Sequence, residues 1–300
     1  MQESRRGFGY ALAAYVIWGL FPLYWPLLEP TPAIQILAHR MLWSLLFVGA
    51  LLAARRRWGF VAELRRDPRR VGLLVLAGLL ISVNWGVYIW ATNSGHVLEA
   101  SLGYFITPLV NIGLGVLALK ERLQRTQWAA VIIGVAAVVV IAVGYGRVPW
   151  IALTLAASFG GYGLVKKLAR TQALESMSVE TSVMAVPAAA YLIFANARGY
   201  GSFGHVSAGM NLLLVSSGIV TIIPLLFFAA AARSVPLSVM GMLQYITPVL
   251  QFLIGIFLRH ESLAGSELAG FALVWLALAV LGIGELRQLA RAPRTVLAAS

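Results

Sequence analysis

Ten apolar runs, most of them close to twenty residues, take up nearly the whole chain, with only short polar connections between them. They fall at 8–28, 34–54, 71–92, 98–119, 126–144, 149–165, 178–195, 211–232, 236–258 and 266–284. A helix needs about 20 apolar residues to cross the hydrocarbon core of a bilayer. The pattern therefore predicts an all-α membrane protein with ten transmembrane helices. The sixth and seventh runs are short for a vertical crossing, and the seventh carries Glu180 near its start and Pro187 inside. Charged residues make up 11% of the chain, against about 25% in soluble domains. There is no cysteine, which removes disulfides, thiolate metal sites and a cysteine nucleophile from consideration.

The first run follows Arg5 and Arg6 but is too long for the apolar core of a signal peptide, and no small-residue cleavage site follows it. It is expected to be the first spanning helix. The net charge of +12 would point to nucleic acid on a soluble protein. Here the basic residues sit in short loops between apolar runs, the pattern of cytoplasmic loops in contact with anionic lipid. If the loops are numbered alternately, nineteen of the 23 lysines and arginines fall on one side and three on the other, with Arg40 inside the second run. That bias places both termini in the cytoplasm of a cell (inner) membrane protein. It also supports the count of ten, since a missed run would scramble every later loop.

The two halves of the chain resemble each other. At an offset of 140 residues Ile106-Thr107-Pro108 matches Ile246-Thr247-Pro248, Gly115 matches Gly255, and Glu121 and Leu123 match Glu261 and Leu263. Gly78 matches Gly218 at the same offset, and Trp18-Gly19-Leu20-Phe21 matches Phe159-Gly160-Gly161-Tyr162 at 141. This predicts two five-helix repeats, 8–144 and 149–285. Five is odd, so the second copy inserts upside down. Inverted-topology repeats with a midplane site are a design of secondary transporters.

Polar groups at membrane depth are costly and commonly face a cavity. Tyr104, Pro108, Asn111 and Gly115 share one face of a helix at 100° per residue, and Gln244, Pro248, Gln251 and Gly255 repeat the stripe. Each proline also frees a carbonyl in mid-helix. The competing reading is helix packing through interhelical hydrogen bonds. Asn84 and Tyr88 lie on one face of the third run, with Trp85 and Thr92 beside it. Trp90 and Trp150 read as interfacial anchors, whereas Trp18 and Trp85 sit deeper. Arg40, beside His39, lies about two turns into the second run. It either snorkels to the interface or meets an anion. Glu99, at the start of the fourth run, is its nearest candidate partner by depth. An acid there is also an ordinary companion of a helix N-terminus.

No phosphate-binding G-x-x-x-x-G-K-[ST] loop is present, and His260-Glu261 is not followed by the second histidine of a zinc motif. An intramembrane enzyme acting on a lipid-linked substrate would need a nucleophile, metal triad or acid/base pair at depth, and no convincing set is seen. A passive channel is the third alternative.

The string from Glu99 through Tyr104-Phe-Ile-Thr-Pro108 to Asn111 closely resembles a signature of the RarD family, EamA-like members of the drug/metabolite transporter superfamily. Ala38-His39-Arg40, Asn84-Trp85, Trp90-Ala-Thr-Asn93 and Gln244-Tyr245-Ile-Thr-Pro248 are similar to other segments of that family. The resemblance covers nearly the whole chain, with Thr107 departing from the asparagine expected before the proline. It implies ten helices in two EamA repeats and efflux of small organic metabolites or drugs, with protons as a candidate coupling ion. Membrane lipid is the expected surroundings, and no cofactor, metal or nucleic acid is expected. The expected substrate-binding set is Arg40, Asn84, Trp85, Tyr88, Tyr104, Asn111, Gln244 and Tyr245, with His39 and Glu99 in gating or coupling.

Overall fold

The computed structural model describes residues 2–56, 58–120, 123, 125–171, 173–231, 235, 240 and 243–291. Among these residues the regular structure is entirely helical. The longer helices are α1 (Gln2–Gly19), α2 (Ala33–Ala54), α3 (Pro68–Asn93), α4 (Val97–Leu119), α5 (Arg125–Tyr145), α6 (Trp150–Ala169), α7 (Ala173–Ala197), α8 (Ala208–Ala231), α9 (Ile246–Phe257) and α10 (Gly265–Arg291). By length and composition α2, α3, α4, α5, α7, α8 and α10 can each cross a membrane.

The first apolar run does not form one straight helix. It breaks at Leu20 and continues as two short turns, Phe21–Tyr24 and Trp25–Leu28, bent by 42° from α1. Pro22 and Pro26 remove the amides that would have continued the ladder. The bent pair together is long and apolar enough for an eighth crossing. Glycines and two lysines dilute α6, and α9 has only 12 residues. The expected ninth run began at residue 236, and 236–239, 241 and 242 lie outside the described residues. A short helix missed by the hydropathy reading, Gly59–Arg65, lies in the arginine-rich connection.

Helix ends follow local chemistry. Asp67 caps α3, accepting from the Arg70 amide at 3.0 Å, with Pro68 opening the helix. α4 has no side-chain cap of its own. Instead the Glu261 carboxylate accepts from the amides of Val97 and Leu98, at 2.7 and 2.8 Å. Two of the helix's unpaired donors are thereby satisfied by an anion at the positive end of its dipole. The matching Glu121 lies outside the described residues.

Helix packing crosses the midpoint of the sequence. α5 packs on α10, α2 on α7, and α4 on α9. α4 and α3 both pack on α6; α1 packs on both α9 and α8; α2 meets α8, and α3 meets α7. For these most extensive contacts, raising or lowering every label by five returns the same pairs. Single residues follow the rule as well. A Cβ on Gly144 would meet Ser266, and one on Gly284 would meet Thr126; one on Gly160 would meet Val110, and one on Gly19 would meet Leu250.

The loops also sort to two ends. At the basic end Arg70 donates to the carbonyls of Ala169 and Arg170. At the other end Gln35 bonds Tyr200 and Ser202, and Trp90 lies against Trp150 with ring centroids 5.4 Å apart. Both tryptophans are exposed.

Candidate substrate site

Arg40 sits where several helices meet. It is 2% exposed, so it does not snorkel. Its position follows from α2, on which Gln35, His39, Arg40 and Ser44 are all buried. Nε donates to the Thr221 hydroxyl on α8 at 2.7 Å, and that hydroxyl in turn donates to the Ser217 carbonyl at 2.8 Å. The guanidinium carbon is 3.7 Å from the Trp85 ring centroid, 4.8 Å from Trp25 and 5.8 Å from Phe21. The bend after α1 is what brings Phe21 and Trp25 there. Cation–π attraction to these faces stabilises a charge that burial would otherwise penalise.

A tyrosine–amide network adjoins it. Tyr104 donates to Asn84 Oδ1 at 3.0 Å. Asn84 donates in turn to the Leu155 carbonyl at 3.0 Å and to Ser158 at 3.1 Å. Tyr88 meets Tyr104 edge-on, with centroids 5.6 Å apart. Tyr24 bonds Ser216 and the Leu213 carbonyl, each at 2.8 Å. Tyr24, Tyr88 and Tyr104 all lie within electrostatic range of Arg40. The Gln251 amide approaches the Tyr88 hydroxyl without a hydrogen bond of ordinary geometry. Among the described residues Arg40 Nη1, Trp25 Nε1, the Tyr88 hydroxyl and Gln251 Oε1 are buried without hydrogen-bond partners.

Of the expected site residues, Arg40, Asn84, Trp85, Tyr88 and Tyr104 therefore come together. Asn111 is exposed and stands beside Gly160. Tyr245 packs in a separate aromatic cluster with Phe105 and Phe271. Gln244 is half-buried at the turn before α9. His39 is buried against Phe203, centroids 5.2 Å apart, and lines a surface cleft of about 280 Å³ with Gln35, Asn196 and Ser202.

The expected pairing of Glu99 with Arg40 is not formed. Glu99 meets Arg147 at 2.8 Å and accepts from the Ile151 amide at 3.2 Å. It pins the start of α6 rather than entering the cluster, because its face of α4 turns toward α6. Depth alone could not tell the two sides of the helix apart. Thr107 spends its hydroxyl on the Gly103 carbonyl at 3.0 Å.

Sequence reasoning missed Tyr24, Trp25 and Thr221. The only sequence signal for the first two was the aromatic–proline string Phe21-Pro-Leu-Tyr-Trp-Pro26. It also missed a second buried charge. Counting 140 residues on from Arg40 reaches Glu180. This carboxylate is buried, takes Lys166 as its ion partner at 2.9 Å and Tyr162 as a donor at 3.2 Å, and also bonds Ser176. Lys166 stands 141 residues after Trp25, and Tyr162 stands 141 after Phe21. At this offset an arginine among aromatics stands opposite an ion-paired acid in the sequence.

Helices throughout the described residues, several apolar enough to cross a bilayer, with a charged, hydroxyl-rich interior, define a multi-pass membrane protein built around a buried polar centre. Residues 5–143 match the EamA-like transporter family. Protein RarD of Streptomyces exfoliatus is 52% identical over 99% of this chain and 95% of its own length. An uncharacterized transporter of Pseudomonas aeruginosa is 45% identical over 97% of each. The chain belongs to the RarD family of EamA-like membrane transporters. A solved crystal structure of a 20% identical protein shares the fold, with a TM-score of 0.59 over 91% of this chain and 96% of that one.

Proposed function

We propose that this protein is a secondary transporter of the bacterial inner membrane. It carries small organic molecules outward by alternating access between two inverted five-helix halves, with both termini in the cytoplasm. The observation that carries the reading is the exchange rule in the helix packing, under which the most extensive helix pairs among the described residues recur when the halves are swapped. A bundle built that way has two related packings, and a site where its halves meet can open to either side in turn. The Arg40–Tyr88–Tyr104 cluster has that location, drawing on α2, α3 and α4 from one half and Thr221 and Gln251 from the other.

The test is flux in proteoliposomes loaded with a panel of small aromatic and aliphatic metabolites and antibiotics. A carrier gives saturable flux that speeds up when the same solute is present on the far side. Flux that rises linearly with concentration and shows no such stimulation describes a channel and overturns alternating access.

A further inference from the structure

We propose that Arg40 is the anchor of an anion subsite, and that the transported solutes carry a carboxylate on an apolar or aromatic body; this rests on the transporter reading above. A guanidinium keeps its charge at any physiological pH, and a buried charge is strongly penalised without an opposing one. Among the described residues no aspartate or glutamate forms an ion pair with Arg40, since the ion pairs are Arg70–Glu63, Arg147–Glu99 and Lys166–Glu180. Thr221 occupies Nε, while Nη1 is buried and unpartnered. Two further donors in the same cluster lack acceptors, the Trp25 indole N–H and the Tyr88 hydroxyl.

A planar fork with one edge committed and a donor left over suits the two oxygens of a carboxylate. The walls select what is attached to it. Trp85, Trp25 and Phe21 present ring faces around the guanidinium, which favours an apolar body over a heavily hydrated phosphate or sugar. Gln251 Oε1, a buried acceptor without a partner, gives a donor on the solute a place to bind.

The experiment uses the full-length protein in lipid nanodiscs and three matched pairs: phenylacetate and phenylacetamide, indole-3-acetate and indole-3-acetamide, hippurate and hippuramide. Calorimetry and thermal unfolding read binding. At least one acid is expected to bind and raise Tm, with its amide at least tenfold weaker. Arg40→Lys, which keeps a charge but loses the planar fork, is expected to weaken the acid at least tenfold while eluting as a folded protein. Equal binding of acid and amide, no binding by any of the three acids, or wild-type affinity in folded Arg40→Lys would each overturn the subsite. The acid-against-amide comparison needs only the wild-type protein, so it stands even where a variant fails to fold. Saturable flux of neutral or cationic solutes without preference for acids sinks the anion subsite and leaves the transporter reading intact. Binding of the acids with no saturable flux of any solute does the reverse.

Discussion

Arg147, in the connection between α5 and α6, reaches back to hold Glu99 at the start of α4, with Nη2 and Oε2 2.8 Å apart. The Glu99 carboxylate is almost fully enclosed, whereas Arg147 is 44% exposed. Solvent screens the pair from that side, so its coupling is expected near the upper end of an exposed bridge, about 1 kcal/mol. A double-mutant cycle with Arg147→Ala and Glu99→Gln, followed by thermal unfolding in detergent, should show that coupling. The cycle of Arg40→Ala with Glu99→Gln should be additive, because the two share no partner. Coupling in the second cycle and none in the first would contradict this geometry.

Glu180 and Lys166 make a second ion pair, enclosed more evenly on both sides. Lys166→Ala strands a buried acid and is expected to destabilise by about 3 kcal/mol. Adding Glu180→Gln should recover much of that loss, since the amide can still accept from Tyr162 and Ser176. No recovery in the double variant would mean that Lys166 acts through packing rather than charge.

Close approaches at glycine give a steric test. A Cβ on Gly218 would lie 2.6 Å from the Trp43 backbone carbon, an atom with little room to move. Gly218→Ala is expected to cost about 1–3 kcal/mol. Gly163 has nothing within 4 Å, so Gly163→Ala should be neutral or gain up to about 1 kcal/mol through helix propensity. Equal melting temperatures for the two variants would count against the α2–α8 contact.

The chain has no cysteine, so introduced pairs can be read without a background. Gly144→Cys with Ser266→Cys, and Thr126→Cys with Gly284→Cys, should both cross-link within α5 and α10 in native membranes, because each glycine faces its partner side chain. One pair joining and the other failing would break the exchange rule.

Orientation is tested by reporter fusions after Arg69 and after Arg291. The charge bias predicts a cytoplasmic signal at both. A periplasmic signal at either site would refute it.

Hydropathy located the helices because burial in lipid imposes a nearly continuous apolar run, and for α2 and α4 the expected and observed ends agree within a residue. It missed the break at Leu20, where prolines interrupt a run that stays apolar throughout. The polar cluster was half legible. Asn84, Tyr88 and Tyr104 stand out as polar groups at depth, and Arg40 more so. Their neighbours did not, because Thr221 is 181 residues from Arg40 and only the packing of α2 on α8 joins them. The Glu99 error has the same origin: depth along a helix can be counted from its end, but which neighbour its face meets is decided by the whole bundle.

Under the alternating-access proposal, the unlike occupants of positions 40 and 180 have an energetic consequence. If the halves were chemically identical, the inward-facing and outward-facing arrangements would be equivalent and equally populated. Arg40 is clasped by ring faces and a hydroxyl, and Glu180 by an ammonium, a phenol and a serine. Opening one clasp does not require the same work as opening the other. On the inverted reading, the degeneracy is broken within the chain itself, and one facing state outweighs the other before any solute or gradient acts on it.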